Sequence, residues 1–366
     1  MNETSSMLLI GIGTAGSAIA RGVGRAFGEG LRLLTADTDA STGRGDGAFV
    51  LLGGDRLSGH GAGGDIVQGR LAAEDSMQLL DDATDGVRLA VVVTALGGGT
   101  GGGATLEAAK HLVGRGIPCI VFATTPFSFE GEPRQQNARG VMSLIETAAS
   151  ATVFVQLDRL VADTDNMEEA MRRAVDTLAS AVALFWRMAE KPGYIKLDAE
   201  RIRRIVASAG RGRFAAVTAQ GPSRAADAVD SLRRSPLLAA GSGPVRSILC
   251  GILAGDDLRL SEVGAVADGV RAAFGRNARL ELSTVNDEST FSGRLSVVLM
   301  LFESQDADDA GGDSAANAPR RQRRARSPLA QGPQGRGRFN NAEPTVYNGE
   351  DLDIPTFIRR NINLDC

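Results

Sequence analysis

Two glycine-rich stretches carry the residues whose types and spacing could do chemistry. The first, Gly11-Ile12-Gly13-Thr14-Ala15-Gly16, follows the apolar run Met7–Ile10 and precedes Ile19, Val23 and Phe27 at helical spacing. A strand-loop-helix of this kind offers backbone N–H groups and a helix N-terminus to an anion, with no Cβ to block approach. Asp37 and Asp39 both lie near the distance at which a dinucleotide fingerprint places its ribose acid. This loop alone therefore leaves open a dinucleotide enzyme, another phosphate binder, and a tight turn with no ligand. The second stretch, Gly97-Gly98-Gly99-Thr100-Gly101-Gly102-Gly103, has six glycines in seven residues. Each loses much backbone entropy on ordering, so a ligand that needs bare backbone is expected. N–H groups and the Thr100 hydroxyl suit di- or triphosphate oxygens, and the Walker A lysine and spacing are absent.

The elements that must hold these loops repeat one grammar. Leu31–Leu34 runs into Thr35-Ala36-Asp37-Thr38-Asp39, Leu89–Thr94 into the second glycine stretch, Ile117–Ala123 into Thr124–Gly131, and Thr152–Val155 into Gln156-Leu157-Asp158-Arg159. Apolar strands alternating with helices predict an α/β fold with a parallel sheet covered on both faces. Residues 7–165 are expected to form this nucleotide-binding domain. Residues 166–190 carry Met171, Ala174, Val175, Leu178, Val182, Phe185 and Met188 on one helical face, predicting a long central helix of about 35 Å. Residues 191–302 read as a second, smaller α/β domain. Residues 303–350, rich in Asp, Gly, Ser and Arg, cannot bury enough apolar surface to offset ordering and read as a disordered linker. Residues 351–366 then recover Leu352, Ile354, Pro355, Phe357 and Ile358, a peptide suited to docking in a partner's groove.

Composition excludes several classes. The 366 residues carry a formal net charge of -4, which argues against nucleic acid as a partner. Cys119, Cys250 and Cys366 are odd in number without ligand spacing, pointing to a reducing compartment rather than a zinc site. No basic segment precedes the first apolar run, and the longest apolar runs fall far short of the ~20 residues that span a bilayer. A cytoplasmic protein is expected. His60 and His111 read as surface or structural, Trp186 as core, and the Arg320–Arg326 cluster as a solvated run or a contact to an anionic surface.

At these loops the sequence resembles the tubulin/FtsZ superfamily, its FtsZ branch in particular. The signature GGGTGTG is met by Gly97–Gly103 with Gly102 in place of the second Thr, and TKPFxFEGxxR by Thr124–Arg134. Gly59-His60-Gly61-Ala62-Gly63 is similar to GLGAG, Asp37-Thr38-Asp39-Ala40 to NTDA, and Leu352–Arg360 to the C-terminal partner-binding peptide. The resemblance implies a GTP site, with Mg2+, completed by the next subunit of a head-to-tail filament. It would use Gly11, Gly13, Thr14, Ala15, Gly16, Asp39, Gly98, Gly99, Thr100 and Gly101, with Ala62 and Gly63 near the γ-phosphate and Glu130 and Arg134 on the ribose. It further implies a division-ring role at the division site and an FtsA-like tether bound by the tail, so that membrane contact is indirect.

Beyond Gly102, four departures from the resembled pattern stand out, three single positions and one loop. Leu157 stands for an Asn, Met171 for a base-stacking Phe, and Val175 for the acid or amide that pairs with guanine, unless the register is shifted by one onto Asp176. The catalytic NxDxxD loop reads Lys196-Leu197-Asp198-Ala199-Glu200-Arg201, keeping Asp198 and placing cations at both other positions. Two readings follow: a division GTPase of the FtsZ type, and a weakly hydrolysing accessory subunit that co-assembles with one.

Overall fold

The computed structural model describes residues 6–303 except 29, 46, 161–165, 192, 198, 208 and 239–242, and also 346–347 and 350–351. The docking peptide from Leu352 onward lies outside the described residues, as do residues 304–345 of the expected linker.

Ten strands build one sheet: β1 (Met7–Ile12), β2 (Leu33–Asp37), β3 (Ala48–Leu51), β4 (Leu89–Ala95), β5 (Cys119–Thr125), β6 (Ala151–Gln156), β7 (Gly210–Gln220), β8 (Val245–Ala254), β9 (Arg279–Asn286) and β10 (Arg294–Glu303). Their order is β3-β2-β1-β4-β5-β6-β7-β10-β8-β9. The first six run parallel. β7 continues them through a short parallel pairing, Ala151↔Gly210 to Val153↔Gly212, then pairs antiparallel with β10. β10 is antiparallel to β8, and β8 parallel to β9. The two halves expected from sequence thus share one sheet.

Eleven helices among the described residues cover it: α1 (Gly13–Phe27), α2 (Gly54–Leu57), α3 (Ile66–Glu74), α4 (Met77–Ala83), α5 (Gly99–Gly114), α6 (Glu132–Ala148), α7 (Met167–Glu190), α8 (Ala199–Val206), α9 (Arg224–Arg234), α10 (Leu260–Phe274) and α11 (Glu288–Phe291). Strand side chains alternate between two cores. Met7, Leu9, Val91 and Ile120 pack with Leu178, Val182 and Trp186 of α7, while Leu8, Ile10, Val92 and Val121 pack with Ala108 and Leu112 of α5 and Ile145 of α6. The first core continues into Leu249, Val285, Val298 and Met300 of the second half. Here Met188 of α7 lies so close to Gly251 that a Cβ there would stand 2.5 Å from its sulfur. Trp186 is fully buried, as read from sequence. No helix of the described residues is long and apolar enough to cross a membrane.

Candidate functional site

β1 and β4 are neighbours in register, Ile12 opposite Thr94, so the segments that follow them leave the same edge of the sheet side by side. Both turn at once into helices. α1 starts at Gly13 behind Ile12, and α5 at Gly99 behind Gly98. Neither N-terminus has a side-chain cap or an acid in its first turn, whereas α3 is capped by Asp65 and α7 by Asn166. Two sets of first-turn N–H donors, with the positive ends of two helix dipoles, are left for an anion. The Thr94 hydroxyl donates to Ile12 O (3.2 Å) or Gly101 O (3.1 Å), tying the two turns together.

Between them lies a cavity of about 240 Å³, lined by Gly13, Thr14, Ala15, Gly16, Gly98 and Gly101, with Glu130 and Arg134 at its side. Leu157, Met171, Ala174, Val175 and Leu178 form an apolar wall. Glu130 Oε2 accepts from Arg134 Nη1 at 2.6 Å, and its other oxygen accepts from Phe127 N at 2.9 Å.

The glycine run has a second use that sequence reasoning underrated. Gly99 to Gly103 lie in the first turns of α5, and a Cβ on Gly99 or Gly103 would overlap the backbone of Asp65 or of Ile66, while one on Gly101 would strike Ala95 O. Gly69 of α3 meets Gly99 in the same way, so α3 and α5 pack backbone against backbone. Gly11 and Gly16 likewise let α1 close on β1 and β4, a Cβ on Gly16 standing 2.5 Å from Val93 O. Only Gly98 in the second run has open space where a side chain would go, and Gly13 needs its φ of +76°. Most of these glycines are accounted for by packing, and the ligand argument rests on Gly98, Gly13 and the uncapped helix ends.

Other sequence-selected residues are placed apart from the cavity. Asp39 caps a 3₁₀ turn, accepting from Ser41 N at 2.8 Å, and the Ser41 hydroxyl together with that N–H holds its carboxyl below the usual carboxylate range. The Thr100 hydroxyl shares a 2.6 Å hydrogen bond with Thr38. Ala62 accepts from the Asp65 N–H at 2.9 Å, and Gly63 adopts a φ of +58° ahead of α3. Two supporting residues were missed. Asp37, buried, accepts from the hydroxyls of Thr14 (2.9 Å) and Thr42 (2.7 Å) and from Thr38 N (2.8 Å), fixing the start of α1. Its signal was present in the Asp37/Asp39 pair. Asn137 donates to Gly64 O (2.9 Å) and Gly97 O (3.2 Å), and nothing in its sequence surroundings marked it.

On α7 the face turned to the cavity is Met171, Ala174, Val175 and Leu178, at spacing i, i+3, i+4, i+7. Asp176 is exposed and does not line it. Of the two registers, the one that brings a residue to the cavity is that of Val175.

The segment matched to the catalytic loop sits elsewhere. Arg88, immediately before β4, donates to Glu200 at 2.9 Å, which fixes α8 at the N-terminal edge of the parallel strands. The glycine turns occupy the C-terminal edge, and the 24 residues of α7 span the gap, about 36 Å. Lys196 is exposed, and Asp198 lies outside the described residues. Arg201 is paired with buried Glu281 at 2.6 Å, and Glu200 is held by Arg203 as well as Arg88. Ile195 is anchored to Thr284 of β9 by two hydrogen bonds of 2.9 Å. Of the remaining candidates, His111 Nε2 meets Asp81 at 2.6 Å on the surface, and burial pushes the Cys119 and Cys250 thiols up to about 11 and about 12.

These features define an α/β protein with a phosphate-type cradle at the carboxyl edge of a parallel sheet. Residues 6–165 match the model of the tubulin/FtsZ family GTPase domain. Over 285 residues the chain is 30% identical to the cell division protein FtsZ of Pseudomonas putida, an alignment covering 76% of this chain and 72% of that one. The chain belongs to the tubulin/FtsZ family. Among solved structures it is similar to an empty FtsZ dimer of M. jannaschii, with a TM-score of 0.77, 24% identity, and coverage of 83% of this chain and 90% of that one. It is also similar to a GTPγS-bound CetZ2 protofilament of Haloferax volcanii, with a TM-score of 0.67, 25% identity, and coverage of 81% and 92%.

Proposed function

We propose that this chain is a filament-forming GTPase that hydrolyses GTP between subunits. The uncapped N-termini of α1 and α5 would hold the phosphates, and Glu130 and Arg134 would meet the ribose. Mg2+, when bound, would neutralise the triphosphate and sit largely on its oxygens, since this ion retains its waters and takes few protein ligands. The observation that carries the reading is the opposition of the two ends: the cradle lies at one edge of the parallel strands and the Lys196–Arg201 segment at the other. A residue of that segment cannot reach its own cradle, but in a head-to-tail filament it would meet the next copy's. The CetZ2 neighbour, solved as a GTPγS-bound protofilament, supports this arrangement. Asp198 would orient the attacking water. Lys196 would stabilise charge on the transferring phosphoryl group, which accelerates the reaction only if the contact is stronger in the transition state than in the ground state.

Within that reading the chain would organise a division ring, with Leu352, Ile354, Pro355, Phe357 and Ile358 recruiting an FtsA-like tether. The engagement of Arg201 by Glu281 and of Glu200 by Arg88 and Arg203 favours a second reading, because it occupies the one other acid of this segment in ion pairs and so weakens the case that Glu200 makes up for the cations at 196 and 201. The chain would then be a slow accessory subunit that co-assembles with a faster one. Phosphate release measured against protein concentration, with light scattering on the same samples, separates the two. Release and scattering that rise at one critical concentration support the division GTPase. Scattering with GTP but without release supports the accessory scaffold.

A further inference from the structure

The wall left for a nucleobase carries almost nothing that could read one. With phosphates on the α1 and α5 termini and the ribose on Glu130 and Arg134, the surface left to a base is mostly apolar, with Leu157 and with Met171, Val175 and Leu178 of α7 prominent in it. Guanine presents N1–H and N2–H donors on its pairing edge, adenine an N6–H donor and an N1 acceptor, and a side chain that tells them apart must accept or donate selectively. The cavity's polar side chains are Thr14, Thr124, Glu130 and Arg134. In the reading above Thr14 lies on the phosphate-holding turn of α1 and Glu130 and Arg134 meet the ribose, which leaves Thr124 as the polar side chain for the base. The Thr124 hydroxyl both donates and accepts, so it can serve either purine.

Resting on the nucleotide-binding reading above, we propose that this site selects the triphosphate and ribose and is indifferent to the purine, taking ATP as well as GTP. A site built to hydrogen-bond a group rejects an analogue lacking it by orders of magnitude, because its own buried polar groups are left unpaired. A wall of aliphatic side chains has no such groups. It offers the pairing edge of either purine no partner. Val175 is the residue that sets this, since it occupies the only half-buried cavity-facing position of α7 between Ala174 and Leu178.

The test is displacement of a fluorescent 2′/3′-labelled GTP from the full chain by GTP, ITP and ATP. ITP lacks the guanine 2-amino group, so it reports whether that group is read. Apparent affinities within about tenfold of one another are expected. GTP binding more than tenfold tighter than ATP overturns the inference while leaving the nucleotide site standing. Failure of the labelled GTP to bind at all overturns the nucleotide reading itself, and the inference with it. Val175→Asp and, separately, Leu157→Asn place an acceptor on the wall. In whichever variant folds, the GTP-to-ATP ratio is expected to move toward GTP by about tenfold, the effect of one added hydrogen bond to a buried donor. An unchanged ratio in a folded variant means the wall does not face the base and overturns the proposal.

Discussion

Asp37 shows how much one buried carboxylate can fix. It holds three donors at the start of α1, among them the Thr14 hydroxyl on the cavity rim. Replacing it by Ala leaves those donors without a partner in a buried site, so Asp37→Ala should lower stability by about 2–3 kcal/mol and weaken nucleotide binding together. Urea denaturation and nucleotide titration on one preparation check this, and unchanged stability would mean the three bonds are not made in solution. In the sequence both acids fit the spacing, and Asp39 is singled out only by the family resemblance. Only burial separates them, and burial depends on which neighbours arrive. A second charged centre lies far from the cavity, where Arg224, buried, is clasped by Glu262 (2.7 Å) and Asp257 (2.8 Å). The Arg224 bond holds the Glu262 carboxyl below its usual range. A depressed carboxylate contributes stability that is present above its unfolded pKa of about 4.3 and is lost as pH falls through the folded value. Glu262→Gln should therefore be less stable than the parent at pH 7, and the difference should close below about pH 4.

At the scale of elements, α3 and α5 meet through Gly69, Gly99 and Gly103 with no side chain between them. Gly103→Ala should destabilise by about 2–3 kcal/mol despite the better helix propensity of Ala, because the added methyl meets fixed backbone. Gly98→Ala is the informative contrast. Its Cβ would enter open space and its φ of -91° suits any residue, so stability should hold to within about 0.5 kcal/mol while triphosphate affinity falls. Thermal melts of both variants with and without GTP distinguish packing from ligand contact. If Gly98→Ala unfolds and Gly103→Ala does not, the division of roles drawn from the geometry is wrong. The glycine count was legible in the sequence, but its cause was not. A glycine kept for a neighbouring helix and one kept for a phosphate read the same in one dimension.

For the whole molecule, the proposed function makes catalysis in trans the testable consequence of the opposed ends. Asp198→Ala and a variant that cannot bind nucleotide, Gly98→Trp, should each release no phosphate alone. Mixed, they should recover part of the parent rate, because the intact Asp198 of one can face the intact cradle of the other. Light scattering on the mixture shows whether the two co-assemble, and co-assembly without recovered release would argue against a shared site.

Sequence by itself determined the alternation of apolar strands with helices, the extent of α7 and the glycine turns that come to line the cavity. These are local properties, set by periodicity, by caps and by residues within a few positions of one another. Tertiary structure decided what depends on which surfaces meet. Periodicity already put Val175 rather than Asp176 on the apolar face of α7, but only the packed fold makes the first part of that face a cavity wall. The packed fold joined β6 to β7, so that the halves share a sheet and a core. It also gave most of the glycines to helix packing and set the Lys196–Arg201 segment at the far edge from the cradle, distances that exist only once the chain has closed on itself.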